Sequence, residues 1–167
     1  MSESIHEQLI VALAAHLAGI VGDGGATYWY TPDRVLRTPA FHSACLDPSL
    51  TTIYSLSPVR VEDKPVNISI GMESIATVDL AAATKFNPAT EDPFKQEEPI
   101  RWTVQTRLER DAKKRLRSNY NLLGVSGGHR FTAIPVTDYA SDLTYLEGWA
   151  LVFLRLQLRF TYPDTTP

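Results

Sequence analysis

The side chains of this sequence that can do acid–base, nucleophilic or metal chemistry are few and scattered. There are four histidines, at positions 6, 16, 42 and 129, and one cysteine, Cys45. A metal site on a helix needs two imidazoles on one face, and the histidine spacings provide no such pair. Cys45 is expected to pack as a small hydrophobe, since one thiol forms neither an internal disulfide nor a thiolate cluster. Adjacent carboxylates are expected in solvated turns, where nothing tunes their acidity: Glu62-Asp63, Glu91-Asp92 and Glu97-Glu98.

Two glycine-containing motifs approach the pattern of catalytic loops and fail on context or on the residues they contain. The segment Gly124-Val125-Ser126-Gly127-Gly128 has the glycine spacing of a nucleophile elbow, but it follows a predicted helix, whereas a nucleophile elbow follows a strand. The run Gly22-Asp23-Gly24-Gly25 lacks the lysine and hydroxyl with which a P-loop holds phosphate. We therefore expect no enzymatic activity, no cofactor and no metal ion.

A basic segment is the feature best suited to binding a partner. Its side chains are Arg101, Arg107, Arg110, Lys113, Lys114, Arg115 and Arg117. They can form a solvated helix face with Glu109 and Asp111 as local ion partners, a contact with an acidic protein neighbour, or a surface that meets DNA phosphates. The formal net charge of −3 argues against DNA affinity for the chain in isolation.

The overall composition is ordinary for a globular protein. The 167 residues fit a single domain, 1–167, and the hydrophobic (44%) and charged (21%) fractions are typical of one. The first residues, Met1 to Glu7, lack the positive start of a signal peptide, and the apolar run Leu9–Val21 is too short to cross a bilayer. We expect a soluble protein with no membrane partner, folded in a reducing cytoplasm.

Apolar spacing predicts two helices. Residues 5–20 carry apolar side chains at helical spacing, and the run Gly22–Gly25 ends this first helix. His16 lies beside the apolar stripe and is expected to be packed and hydrogen-bonded. The second, amphipathic helix is predicted from Val104 to Asn121, with an apolar stripe and a basic outer side.

Alternation of apolar and polar residues predicts the strands. Val59–Phe86 contains period-two runs that Pro65 interrupts, and later strands span Arg130–Val136 and Gly148–Tyr162. The acidic, proline-rich segment Asn87–Pro99 is predicted to be an exposed loop. Together the elements predict an α+β fold: a mostly antiparallel sheet packed by an N-terminal helix and a second amphipathic helix in a single domain.

The proline-punctuated stretch 26–58 is predicted to be irregular. Within it, Tyr28-Trp29-Tyr30 favours local β structure. Aromatic residues this dense either pack in the core or anchor a subunit contact, and the sequence leaves both interpretations open.

Three stretches of the chain carry a family resemblance: the helix 5–17, the segment 108–125 and the final strand 151–162. The second stretch contains Leu108-Glu109-Arg110-Asp111-Ala112 and then Asn121-Leu122-Leu123-Gly124-Val125. Their order and pattern resemble those of the tail terminator and tail completion proteins of long-tailed phages. The resemblance covers nearly the whole chain through short motifs.

This resemblance implies a structural role without catalysis. Such proteins form a hexameric ring on the last ring of the tail tube, stop tube growth and present a face to the head connector. For this chain the resemblance implies a homo-oligomer that is assembled in the host cytoplasm and located at the head-proximal end of the virion tail. The implied partners are the tail tube protein, the head–tail connector protein and DNA passing through the lumen.

Two other functions stay open at this point. One is a head–tail connector or head-completion protein of the neck, which is also ring-forming. The other is a small ligand-binding domain or enzyme with an unrecognised pocket.

The candidate interface residues are aromatic and basic side chains. They are Trp29, Tyr30, Phe94, Arg107, Arg110, Lys114 and Arg117. We also expect the Asn87–Pro99 loop to reach an adjacent subunit or the tube, because long loops in compact domains are usually functional. The final strand is a third expected contact, since a sheet with a long alternating final strand offers a flat packing surface. Sheet edges can also pair between neighbouring chains.

Overall fold

A computed structural model of the protein describes residues 5–37, 41–65, 71–86, 97–118, 130–135 and 148–163. These residues form three helices and a five-stranded sheet. The elements in chain order are α1 (Ile5–Ala18), β1 (Arg34–Leu36), α2 (Phe41–Cys45), β2 (Thr52–Pro65), β3 (Gly71–Lys85), α3 (Glu97–Arg117), β4 (Arg130–Pro135) and β5 (Trp149–Pro163). The predicted α+β class is confirmed.

The sheet has the strand order β1-β2-β3-β5-β4. Its centre is the long antiparallel trio β2, β3 and β5, and β4 adds to β5 in antiparallel register. The short β1 pairs in parallel with β2, from Arg34 opposite Ile53 to Leu36 opposite Ser55. The sheet is therefore mostly antiparallel, as its alternating sequence predicts.

The two faces of the sheet bury two separate apolar clusters. On one face, α1 and α3 cover the main core, whose largest fully buried side chains include Leu13, Leu17, Tyr54, Leu56, Leu80, Leu108, Leu116, Leu154 and Leu156. On the other face, α2 and the turn after it cover a smaller cluster of Cys45, Leu50, Ile53, Ala81, Ala83, Trp149 and Leu151. Cys45 is 4% exposed, which confirms its prediction as a small packed hydrophobe.

The alternation along β5 separates a buried face from a wet one. Leu154, Leu156 and Leu158 are buried against the helices, whereas Arg155 and Arg159 are exposed on the opposite face. Successive strand side chains point to opposite faces, so this pattern fixes the register of β5 against β3. The prediction of one wet face is confirmed from Arg155 to Arg159, whereas Trp149 and Leu151 on the same face are buried in the smaller cluster.

The predicted limits of β2 are wrong. The strand begins at Thr52 instead of Val59, and Glu62-Asp63 pairs with β3 instead of forming a turn. Proline did not stop the strand, because Pro58 lies at a shift of register and Pro65 is the last residue. At a bulge or a strand end, the missing N–H of proline costs no ladder hydrogen bond.

The predicted limits of the second helix are also wrong. Helix α3 begins at Glu97, so residues 97–99 belong to its first turn and not to a loop. Pro99 fits there, since the first N–H groups of a helix have no partner within it, and acidic residues favour that end of the helix dipole. The segment Tyr28-Trp29-Tyr30 forms no strand, and α1 ends at Ala18, before Gly22.

We predict that Gly25→Ala lowers the free energy of unfolding more than Gly24→Ala does. Both glycines have positive φ, 95° and 74° respectively, which costs an L-residue about 1–2 kcal/mol. A Cβ at Gly25 would also overlap the Trp29 ring, whereas a Cβ at Gly24 meets no described atom within 4 Å. Urea unfolding of both variants checks this, and equal losses would show that the Trp29 contact is unimportant.

Candidate functional site

One buried carboxylate joins α3 to the loop between α1 and β1. The Asp111 Oδ2 atom accepts the backbone N–H of Trp29 at 2.7 Å and that of Tyr30 at 3.0 Å. Helical spacing places Asp111 on the packed side of α3 beside Ala112, and both residues are 0% exposed. A solvated helix face with Asp111 as a local ion partner was one of three interpretations of the sequence, and the burial of Asp111 does not fit the solvated face. Its carboxylate satisfies backbone donors instead.

The environment of this carboxylate disfavours its charge. Burial raises the pKa of Asp111 above its ordinary value of 3.8, and the hydrogen bonds from Tyr30 and Trp29 oppose that rise. Its Oδ1 atom and the buried Tyr54 hydroxyl have no hydrogen-bond partner among the described residues. Burial, followed by the nearby Asp111 charge, raises the pKa of Tyr54 as well. The geometry makes Asp111 a clamp for backbone and gives it no access to solvent.

Two basic side chains of α3 cover the aromatic residues of the clamped loop. The Arg107 guanidinium lies 4.0 Å from the centre of the Trp29 ring. Lys114 Nζ donates to the Thr27 carbonyl at 3.1 Å and lies 5.5 Å from the centre of the Tyr28 ring. Such cation–π contacts stabilise the loop by about 0.5–1 kcal/mol each at exposed sites. Arg107 and Trp29, both predicted as contact residues, therefore meet within one molecule.

A second link joins the ends of α1 and α3. Arg115 Nε donates to the His16 carbonyl at 2.6 Å, and His16 Nε2 lies 2.7 Å from the Arg115 carbonyl oxygen. Each side chain thus satisfies a carbonyl in the last turn of the other helix. Burial lowers the pKa of His16. The expectation of a packed, hydrogen-bonded histidine is confirmed.

The remaining basic side chains of α3 line a surface groove with a volume of about 490 Å³. This basic groove consists of Thr106, Glu109, Arg110, Lys113, Lys114 and Arg117. Its carboxylate, Glu109, forms an ion pair with Lys113 one helical turn away. Arg110, Lys114 and Arg117 are exposed, so the structure brings these three predicted contact residues together.

A second groove, with a volume of about 610 Å³, lies between α1, β1 and the central strands. This apolar groove is lined by the apolar residues Ile10, Val11, Val35, Leu36, Pro58, Val61, Ala76 and Val78 and by the polar residues Glu7, Arg37, Arg60 and Thr77. Val11 and Val61 are 39% and 44% exposed. The sequence analysis missed this groove, since it depends on β1 and on the early start of β2.

The outer edge of β2 borders the apolar groove. Strand β1 pairs only with Ile53–Ser55, and within the described residues no strand covers β2 beyond that point. Val59, at the register shift, is 49% exposed. Trp102, on the first half of α3, is 72% exposed. Its position outside the apolar stripe of α3, whose members recur every fourth residue from Val104, was the signal in the sequence for this exposure.

The described part of the chain contains no group of three or more histidine, cysteine, aspartate or glutamate residues that could hold a metal ion. Burial raises the pKa of the Cys45 thiol to about 11, which keeps it protonated near neutral pH. The predicted contact residue Phe94 and the candidate nucleophile Ser126 lie outside the described residues.

Comparisons with other proteins identify no family for this chain. Neither a protein-family model nor a curated protein matches the chain. Among the described residues, no helix is long and apolar enough to span a membrane.

We predict that Asp111→Ala lowers the free energy of unfolding by on the order of 3 kcal/mol, because it leaves two N–H groups of the loop unpaired. Asp111→Asn should cost less, since its amide oxygen can still accept. Urea unfolding at neutral pH measures both losses. A loss for Asp111→Ala no larger than that for Asp111→Asn would contradict the clamp.

The native protein and Asp111→Asn together test the charge of Asp111. Because the folded pKa is raised, the stability that the neutral carboxyl provides is complete below the unfolded pKa and is lost as pH rises through the folded pKa. The stability of the native protein relative to Asp111→Asn should therefore fall as pH increases from about 4 toward 7. A difference that rises with pH would mean that the pKa is lowered.

Proposed function

We propose that this chain is a structural virion protein that forms a ring at the head-proximal end of a phage tail tube. In that position it stops tube growth and joins the tail to the head connector. The tail assignment is supported by the sequence resemblance to tail terminator proteins. The observation that carries the ring is the outer edge of β2 beside the apolar groove, which no strand of the described residues covers beyond Ser55.

An open strand edge next to apolar surface favours association. Within the described residues, no strand pairs with the outer edge of β2 beyond Ser55, and such an edge is a template for another chain. The exposed Val59 and Val61 leave apolar area in water beside it. The bulge at Pro58/Arg60 and the Arg60–Glu62 ion pair limit indiscriminate strand pairing. A specific partner surface is thus favoured over aggregation.

A second copy is the occupant that we assign to the apolar groove. If one copy presents the groove and its neighbour presents a different surface, the contact is heterologous, and repetition of such a contact closes a ring when the rotation permits. A typical subunit contact combines an apolar centre with polar residues, and the lining of the apolar groove contains eight apolar residues together with Glu7, Arg37, Arg60 and Thr77.

We predict that the protein caps one end of purified tail tubes and that Val11→Glu/Val61→Glu abolishes the cap. Two carboxylates in the apolar groove would be buried unpaired in the subunit contact, at a cost of several kcal/mol. Negative-stain images of tubes mixed with each protein measure the fraction of capped ends.

Leu46→Glu is the matched control, because Leu46 is 70% exposed and does not line the apolar groove. It should cap tubes as well as the native protein. Binding to connector-bearing heads without binding to tubes would instead assign the protein to the connector side of the neck. If Val11→Glu/Val61→Glu caps tubes as well as the native protein does, the apolar groove is not part of the contact between subunits.

A further inference from the structure

We propose that the acidic segment 87–98 of one copy binds in the basic groove of the next copy and fixes the direction of assembly. This inference rests on the proposed ring and adds a second, electrostatic element to the subunit contact. It assigns a surface and a partner segment that the apolar groove does not involve.

The basic groove offers cations that the fold leaves free for a partner. Arg110 and Arg117 are exposed, and within the described residues they form no hydrogen bond or ion pair. The other cations of α3 have structural contacts: Arg107 covers Trp29 and Arg115 binds the end of α1. The basic helix therefore divides into a side that holds the fold together and an outward side that is open.

The chain itself supplies a segment of opposite charge. Residues 87–98 contain four carboxylates, Glu91, Asp92, Glu97 and Glu98, against one lysine, Lys95. This gives the segment a formal charge of −3. It joins the end of β3 to the first turn of α3, whereas the basic groove lies on the later turns of the same helix.

Helix length separates these two charges within one molecule. The acidic segment enters α3 at Glu97, the first residue of the helix. Arg110 and Arg117 follow Glu97 by thirteen and twenty residues, or about 20 Å and about 30 Å along the helix axis. Asp92 precedes Glu97 by five residues, or at most about 18 Å of fully extended chain. Full extension has a high entropic cost, so the basic groove is better matched to the segment of another copy.

Opposite charges at the two ends of α3 favour a head-to-tail contact. Each copy presents an acidic end to one neighbour and the basic groove to the other, which is the heterologous geometry that a ring requires. Charge complementarity of this kind fixes register and suppresses wrong pairings more than it adds affinity. DNA is the less favoured occupant, because the chain is acidic overall and Glu109 lies within the groove.

Two charge-reversed variants test the contact. In Arg110→Glu/Arg117→Glu the groove becomes acidic, and in Glu91→Lys/Asp92→Lys the segment becomes basic. Each variant alone should assemble on tail tubes at least tenfold less than the native protein. An equimolar mixture should recover assembly, because every contact in an alternating ring then joins opposite charges.

Recovery by mixing is diagnostic of contact between copies, since a contact within one molecule cannot be repaired by a second variant. Arg34→Glu/Arg159→Glu is the matched control for net charge: both arginines are exposed, and neither lines the groove. It should assemble as the native protein does. Circular dichroism establishes that each variant is folded.

Each outcome separates this inference from the proposed ring. Unchanged assembly by both charge-reversed variants would overturn the inference while leaving the ring intact. Loss of assembly without recovery on mixing would also overturn it. If Arg110→Glu/Arg117→Glu assembles normally but no longer binds short duplex DNA, the basic groove is a DNA-binding surface and not a contact between copies. If the native protein forms no oligomer on tubes, the ring and the inference both fail.

Discussion

The described structure depends on the buried carboxylate of Asp111, which holds the loop between α1 and β1 against α3. Its two hydrogen bonds to backbone N–H groups fix Trp29 and Tyr30. Tyr28 and Tyr30 then pack against the main core. Arg107 covers the Trp29 ring and Lys114 covers the Tyr28 ring. The loop leads directly into β1, so the same anchor sets where β1 lies and where the apolar groove opens. The two hydrogen bonds from backbone N–H groups, which would otherwise be unpaired, offset the free-energy cost of burying the Asp111 carboxylate.

Much of the fold could be predicted from the sequence because its periodicities are strong. The apolar stripes of α1 and α3 and the alternation along β5 match the buried residues closely. Element boundaries were less predictable, since Pro58, Pro65 and Pro99 occupy positions where a missing N–H costs nothing. The sequence alone does not show whether a proline has such a position, because that depends on the partner strand or on the end of the helix.

The candidate site was predicted in part, and the misses have one physical origin. Arg110, Lys114 and Arg117 share a surface because residues three and four apart on a helix are neighbours. The roles of Asp111 and Arg107 depend on residues about eighty positions earlier in the chain, so local spacing could not reveal them. The apolar groove likewise needs the pairing of β1 with β2, which is a long-range event. Local patterns therefore identified the surface charges and missed the contacts between distant segments.

The central claim is that copies of this chain close into a ring at the end of a tail tube. The most direct test is native mass spectrometry of the native protein after incubation with tail tubes, light cross-linking and release. The account predicts one closed oligomer of fixed copy number, because a heterologous contact with a fixed rotation stops growing when the ring closes. Monomers alone, or an open ladder of increasing sizes, would contradict it.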